Sequence, residues 1–165
     1  MTIPDLRTGL GWDTHRLIAG RPLILGGVPF EHDAGPVSHS DGDALLHAVT
    51  DAVLGALSLP DIGELFPDTD PAHESRDSAA FLQEAARRMR RLGWRVGNVD
   101  CTIILERPKV APHKAAMRQN VARLLGADPG SVNIKGKTHE KTDAVGEGRA
   151  VEVHVVALLV RDPAP

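Results

Sequence analysis

Two short fragments of the 165-residue chain carry side chains that bind metal ions. The first is Gly11-Trp12-Asp13-Thr14-His15. If it is extended, Asp13 and His15 point to the same side, because strand side chains alternate with period two. The second is His39-Ser40-Asp41-Gly42-Asp43-Ala44-Leu45-Leu46-His47, polar and glycine-containing for five residues and then the first turn of an apolar-periodic helix. Ser40 or Asp41 is the natural N-cap, since a short side-chain oxygen accepts the orphan N–H groups of a first turn. His39 then sits just outside the helix, where free N–H groups and the positive dipole end favour an anion such as phosphate. His47 lies four residues after Asp43 and four before Asp51, so the three share a face. A carboxylate one turn from an imidazole can fix its tautomer. Asp13, His15 and His47 together offer one oxygen and two nitrogens. That donor set suits zinc and leaves a fourth tetrahedral position open, as catalytic zinc sites do. Read as structure alone, the second fragment is a capped helix with a half-buried, hydrogen-bonded histidine.

These side chains need elements to hold them. Leu6 to His15 reads as a first strand broken by glycines, and Pro22 to Phe30, with Gly26-Gly27 at its centre, as a hairpin. A polar loop from Glu31 to Val37 follows. Leu46, Val49, Val53 and Leu57 keep helical spacing until Pro60. Asp61 to Pro71, with two prolines, a glycine and three further acidic residues, reads as a loop. It is either a self-bonded series of turns or a substrate loop whose carboxylates accept hydroxyl protons. Arg76 to Leu92 is a second amphipathic helix, with Phe81, Leu82, Ala85, Met89 and Leu92 inward and arginines 87, 88, 90 and 91 solvated. Val96 to Leu105 is a strand, and Pro112 opens a third helix that ends at Gly126. Val132 to Lys135 and Ala150 to Val160 complete the strands. The last alternates at first and then turns wholly apolar, which suggests partial cover by a helix. The expectation is one α+β domain spanning 1–165, a mixed β-sheet with helices on one face.

Composition narrows the chemistry. Hydrophobic residues make up 42% and charged residues 25%, ordinary for a globular protein. A net charge of −3 and 3% aromatics argue against a nucleic-acid partner. The single cysteine, Cys101, excludes an intrachain disulfide and fits a reducing cytoplasm. Neither an export signal nor a membrane span is visible, so the expectation is a cytoplasmic protein without a membrane partner. There is no glycine-rich dinucleotide fingerprint and no P-loop.

The motifs D-T-H, H-S-D-G-D-A-L-L-H-A-V-T-D-A, D-I-G-E-L-F-P-D-T-D, N-V-D-C-T-I-I-L-E-R-P-K and K-T-H-E occur in that order. Together, from about Gly9 to Leu159, they resemble the 2-C-methyl-D-erythritol 2,4-cyclodiphosphate synthase family of the non-mevalonate isoprenoid pathway. The resemblance implies a homotrimer whose sheets pack around a threefold axis, with three active sites between subunits. It implies a cytidine diphosphate-linked substrate, cyclised with release of cytidine monophosphate. It implies that Asp13, His15 and His47 hold zinc. Likewise Glu140 would hold a second divalent cation, magnesium or manganese. His39 and Thr138 would stabilise the transition state. Asp13, His15, His39 and Ser40 would contact the phosphates and erythritol, with Asp61, Ile62 and Gly63 forming the erythritol turn. Phe66, Pro67, Asp68, Thr69 and Asp70 would form the substrate loop. Leu105, Glu106, Arg107, Pro108, Lys109, Val110 and Ala111 would form the cytosine and ribose pocket, joined by Lys137, Thr138, His139 and Glu140. The chain departs from the pattern at Lys137 and His139, where threonines are usual. It also lacks a G-F-x-G-R segment over Lys141 to Gly148. From the residues alone, a zinc phosphoesterase that hydrolyses a nucleotide diphosphate and a scaffold with structural zinc are competing readings. The scaffold needs a fourth protein ligand.

Overall fold

A long first strand runs through the fragment that holds Asp13 and His15. In the computed structural model, which describes residues 5–67 and 76–162, β1 spans Leu6–Ala19. β2 (Leu23–Leu25) and β3 (Val28–Phe30) form a separate hairpin, and β4 (Ala34–Pro36) pairs with the end of β1. Then come α1 (Ala44–Ala56), a one-turn α2 (Ile62–Leu65), α3 (Ala79–Arg91) and β5 (Trp94–Ile104). A 3-10 turn at Ala111–His113 leads into α4 (Lys114–Leu125); β6 (Val132–Lys137), a short α5 (Asp143–Gly146) and β7 (Ala150–Arg161) follow. The five-stranded sheet has the order β4-β1-β7-β5-β6, with β5 and β6 parallel and the other neighbours antiparallel. It is the expected mixed sheet of an α+β fold.

The two faces of the sheet differ. Gly9 and Gly11 face α1, which lies so close that a Cβ on Gly11 would sit 1.8 Å from the carbonyl oxygen of Ala48. Only glycine permits that approach. Asp13 and His15 continue the same side of β1. The opposite side carries Leu10 and Trp12, 67% and 52% exposed, beside Val156 across the register pair Leu10↔Val156. β7 alternates to its end, with Val151, Val153, Val155, Ala157 and Leu159 buried and the intervening side chains less covered, which is the partial cover by helix that its sequence pattern suggests.

The structure corrects several expectations. α1 is buried nearly all round rather than along one stripe, since it lies between the sheet and α3. Its N-cap is Asp43, neither Ser40 nor Asp41. Asp43 Oδ1 accepts from Leu46 N–H at 3.0 Å, and the carboxylate also accepts the N–H groups of Gly26 at 2.8 Å and Gly27 at 2.6 Å. Three donors from two elements reward that one position, which a local pattern does not reveal. Burial pushes the Asp43 carboxyl up to about 6, against those donors. β1 continues past His15, because β7 pairs with it as far as Arg16. The loop expected over Glu31 to Val37 contains β4. Asp61 caps a helical turn instead of opening an irregular loop, and α3 begins at Ala79. α4 ends at Gly126, in the left-handed conformation at φ +69°, as expected.

Candidate active site

β1 and the first turn of α1 meet where the glycine contact draws them together, and three donor atoms converge there. Oδ2 of Asp13 lies 2.9 Å from Nδ1 of His47 and 3.0 Å from Nε2 of His15, and the two nitrogens are 3.3 Å apart. Among the described residues this is the one group of three or more such side chains placed to share an ion. Donors around tetrahedral zinc, with bonds of about 2.0–2.1 Å, lie roughly 3.3–3.4 Å from one another. The separations and the one-oxygen, two-nitrogen chemistry therefore fit a divalent cation such as zinc with small adjustments. Burial opposes ionisation of Asp13, but hydrogen bonds from His15 and His47 outweigh it and hold the carboxyl well below the usual carboxylate range. Burial likewise opposes charge on His47, but the hydrogen bond to Asp13 and its charge raise the imidazole above its ordinary value.

The acidic residues expected on the His47 face have other partners. Asp43 is engaged with the hairpin tip. Asp51 Oδ1 accepts Ile62 N–H at 2.8 Å, and Asp61 Oδ1 accepts Glu64 N–H at 2.9 Å, so two aspartates hold α2 at its start. That support places Ile62 and Gly63 on the wall of a cavity of about 270 Å³, with His15, His39, Ser40, His47 and Phe66. The Phe66 and Phe81 rings pack at 4.6 Å, with the Arg76 guanidinium over both. Pro67 closes the described part of this segment, and Asp68, Thr69 and Asp70 lie outside the described residues.

The remaining candidates gather elsewhere on the chain. Leu105, Lys109, Val110, Ala111, Lys137 and Thr138 line a second cavity of about 280 Å³, joined by Lys114 and Gly136. Parallel pairing of β5 with β6 brings its two rims together, with Ile104 opposite Lys137 and Leu105 N–H donating to the Lys137 carbonyl at 3.0 Å. Arg107 and Pro108 lie in the connecting loop, and Oε2 of Glu106 is buried there without a hydrogen-bond partner. His139 Nδ1 bonds Asp143 Oδ2 at 2.8 Å, turning that ring toward α5. Glu140 follows in the left-handed conformation at φ +50° and does not join the Asp13 cluster. Reading by motif missed Asp41, Ser78, Phe81 and Lys114. Ser78 had a usable signal, since a serine just before an apolar-periodic run is an N-cap candidate.

Residues 6–160 match the YgbB family. Over 159 residues the chain is 57% identical to the chloroplastic 2-C-methyl-D-erythritol 2,4-cyclodiphosphate synthase of Catharanthus roseus, covering 96% of this chain and 67% of that protein. The chain belongs to this cyclodiphosphate synthase family. Another relative in the family, the synthase of Chromobacterium violaceum, is 56% identical, with 94% of this chain and 98% of that one covered. IspF of Plasmodium falciparum, solved as a CDP complex, matches the fold with a TM-score of 0.86 at 34% identity, covering 98% of this chain and all of that one. Bifunctional IspDF from Campylobacter jejuni gives 0.92 at 37% identity, covering 96% of this chain but 43% of that longer one. Membership of the synthase family agrees with the resemblance carried by the motifs. No helix among the described residues is long and apolar enough to cross a membrane.

Proposed function

We propose that this chain cyclises 4-diphosphocytidyl-2-C-methyl-D-erythritol 2-phosphate to 2-C-methyl-D-erythritol 2,4-cyclodiphosphate with release of CMP, supplying isoprenoid precursors. The observation that carries the reading is the convergence of Asp13, His15 and His47 beside a cavity walled by His39, Ser40, Ile62 and Gly63, in a chain of this family. In the reaction a 2-phosphate oxygen attacks the β-phosphorus while the bond to CMP breaks. Both partners are anionic, so the barrier is chiefly charge repulsion and ring-closing geometry.

Asp13, His15 and His47 would hold zinc, which would supply Lewis-acid polarisation and a template for the phosphates. His39 and Thr138 donate to phosphate oxygens whose charge grows as the ring closes. Asp61, Ile62 and Gly63 orient the erythritol, with Ser40 and Phe66 beside them. Leu105 to Ala111, with Lys137 and His139, take the cytidine end. Lys109, Lys114 and Lys137 on the second cavity wall offset the nucleotide's negative charge. Glu140 would hold a second divalent cation, magnesium or manganese, which would supply charge neutralisation at the diphosphate.

The site is completed between subunits of a homotrimer in this reading. Two features support that. The cation ligands and Thr138 line different cavities of one chain, and the sheet leaves Leu10, Trp12 and Val156 uncovered on the face away from the helices. Phosphorus NMR of an incubation with the cytidylyl substrate and zinc plus magnesium tests the chemistry. A cyclic diphosphate and CMP in equal amounts are expected, and linear hydrolysis products overturn the reading. Metal analysis of variants tests the ligands. His47→Ala is expected to lose zinc and turnover together, whereas Glu140→Ala loses turnover and keeps zinc.

A further inference from the structure

His47 has two ring nitrogens, and the proposed zinc site uses one of them. Nδ1 faces Asp13 and His15. The other, Nε2, lies 2.8 Å from the hydroxyl of Ser78, a residue with no solvent exposure, and 3.2 Å from the hydroxyl of Ser40. Ser78 is held from the opposite side by Asp41. Its hydroxyl donates to Asp41 Oδ1, and its backbone N–H donates to Asp41 Oδ2 at 3.1 Å. The Asp41 N–H in turn donates to the Arg76 carbonyl at 3.2 Å. Residues 76–78, just ahead of α3, are thus fastened to the loop before α1 at a point that also touches the imidazole.

Proton counting decides the direction of this chain. A carboxylate only accepts, and a serine hydroxyl has a single proton. The Ser78 proton is committed to Asp41, so the Ser78 oxygen meets His47 with a lone pair. Nε2 must therefore carry a hydrogen, because two lone pairs facing each other at 2.8 Å repel; by the same count Nδ1, 2.9 Å from the Asp13 carboxylate, carries one too without an ion, and that Nδ1 proton is the one a cation displaces.

We infer that Asp41 and Ser78 are positioning residues that lock the proton of His47 onto Nε2 and so reserve the Nδ1 lone pair for the cation. This rests on the zinc reading of Asp13, His15 and His47. The chain in which His47 Nε2–H donates to Ser78 Oγ and Ser78 Oγ–H donates to Asp41 Oδ1 is a carboxylate-backed relay, in which negative charge at one end raises the electron density of the ligating nitrogen at the other. It fixes the ring plane as well as the tautomer, since Nε2 points along one line and Nδ1 along another. The relay also explains why Ser78 is buried at a helix N-cap without making a side-chain cap bond: its oxygen serves His47 instead.

The test uses the full-length chain and zinc alone. In zinc-loaded wild type labelled with nitrogen-15, His47 is expected to show a metal-bound Nδ1 and a slowly exchanging proton on Nε2. A His47 ring with its proton on Nδ1 and the metal on Nε2 overturns the inference without any substitution. Chelator competition on Ser78→Ala and Asp41→Asn is expected to show zinc held between about 10- and 100-fold more weakly, with the Nε2 proton exchanging fast. Asp77→Ala, one residue away, is expected to bind zinc as wild type does. Wild-type zinc affinity in both relay variants overturns the inference and leaves the zinc site standing. Failure of the wild type to bind zinc overturns the site and the relay together.

Discussion

Under the proposed ligand assignment, His47 titrates in competition with the cation it would hold. The hydrogen bond and charge of Asp13 raise its imidazole above the ordinary value, while a metal needs Nδ1 bare. The protonated form is the one favoured as pH falls, so affinity is full above the raised pKa and is lost as pH drops through it. Zinc binding is expected to weaken by about tenfold per pH unit below that point, with close to one proton released per ion. Chelator competition at pH 8 and pH 6, and calorimetry in two buffers of different ionisation enthalpy, measure both quantities. A pH-independent affinity over that range contradicts the assignment of His47. Asp43 presents a different case, because its carboxylate satisfies three N–H groups at once. Asp43→Asn turns one acceptor into a donor aimed at a buried N–H. A loss of about 2 kcal/mol in denaturant unfolding is expected, with no change in cation stoichiometry.

At the scale of elements, the distance between β1 and α1 determines whether a site exists at all. His47 precedes Ala48, whose carbonyl oxygen would be 1.8 Å from a Cβ on Gly11. Gly11→Ala therefore has to push α1 off the strand, carrying His47 away from Asp13 and His15. Loss of about 1–3 kcal/mol or more is expected from the overpacking, together with weakened zinc binding, whereas Gly63→Ala, in an open turn, is expected to retain wild-type stability. The metal trio was legible in the sequence because its logic is local: alternation along a strand puts Asp13 beside His15, and an apolar helix period announces the element that holds His47. What escaped local reading depends on distant partners. Asp43 is the cap because Gly26 and Gly27 reach it from the hairpin. Ser78 matters because the chain returns past Asp41. α1 is buried on almost every side because α3 covers what the sheet does not. The separation of Thr138 from Asp13, His15 and His47 was not legible either, since no periodicity tells which of two cavities a residue will line.

For the whole molecule, that separation becomes a measurable property. If each site takes its cation ligands from one subunit and Thr138 from the next, two differently damaged chains can repair each other. His47→Ala removes one half of every site and Thr138→Ala the other, so each pure variant is inactive. In a trimer assembled from an equal mixture, about one quarter of the interfaces join an intact ligand set to an intact Thr138. Activity recovered after co-refolding is therefore expected to approach about a quarter of the wild-type value, and to be absent when the variants are mixed without subunit exchange. Trp12→Glu, on the uncovered sheet face, is expected to reduce the species in sedimentation from three times 17.6 kDa to one, and to abolish the recovery in the same step. A site contained within one chain predicts no recovery at any mixing ratio, because every chain in the mixture then carries a broken site of its own.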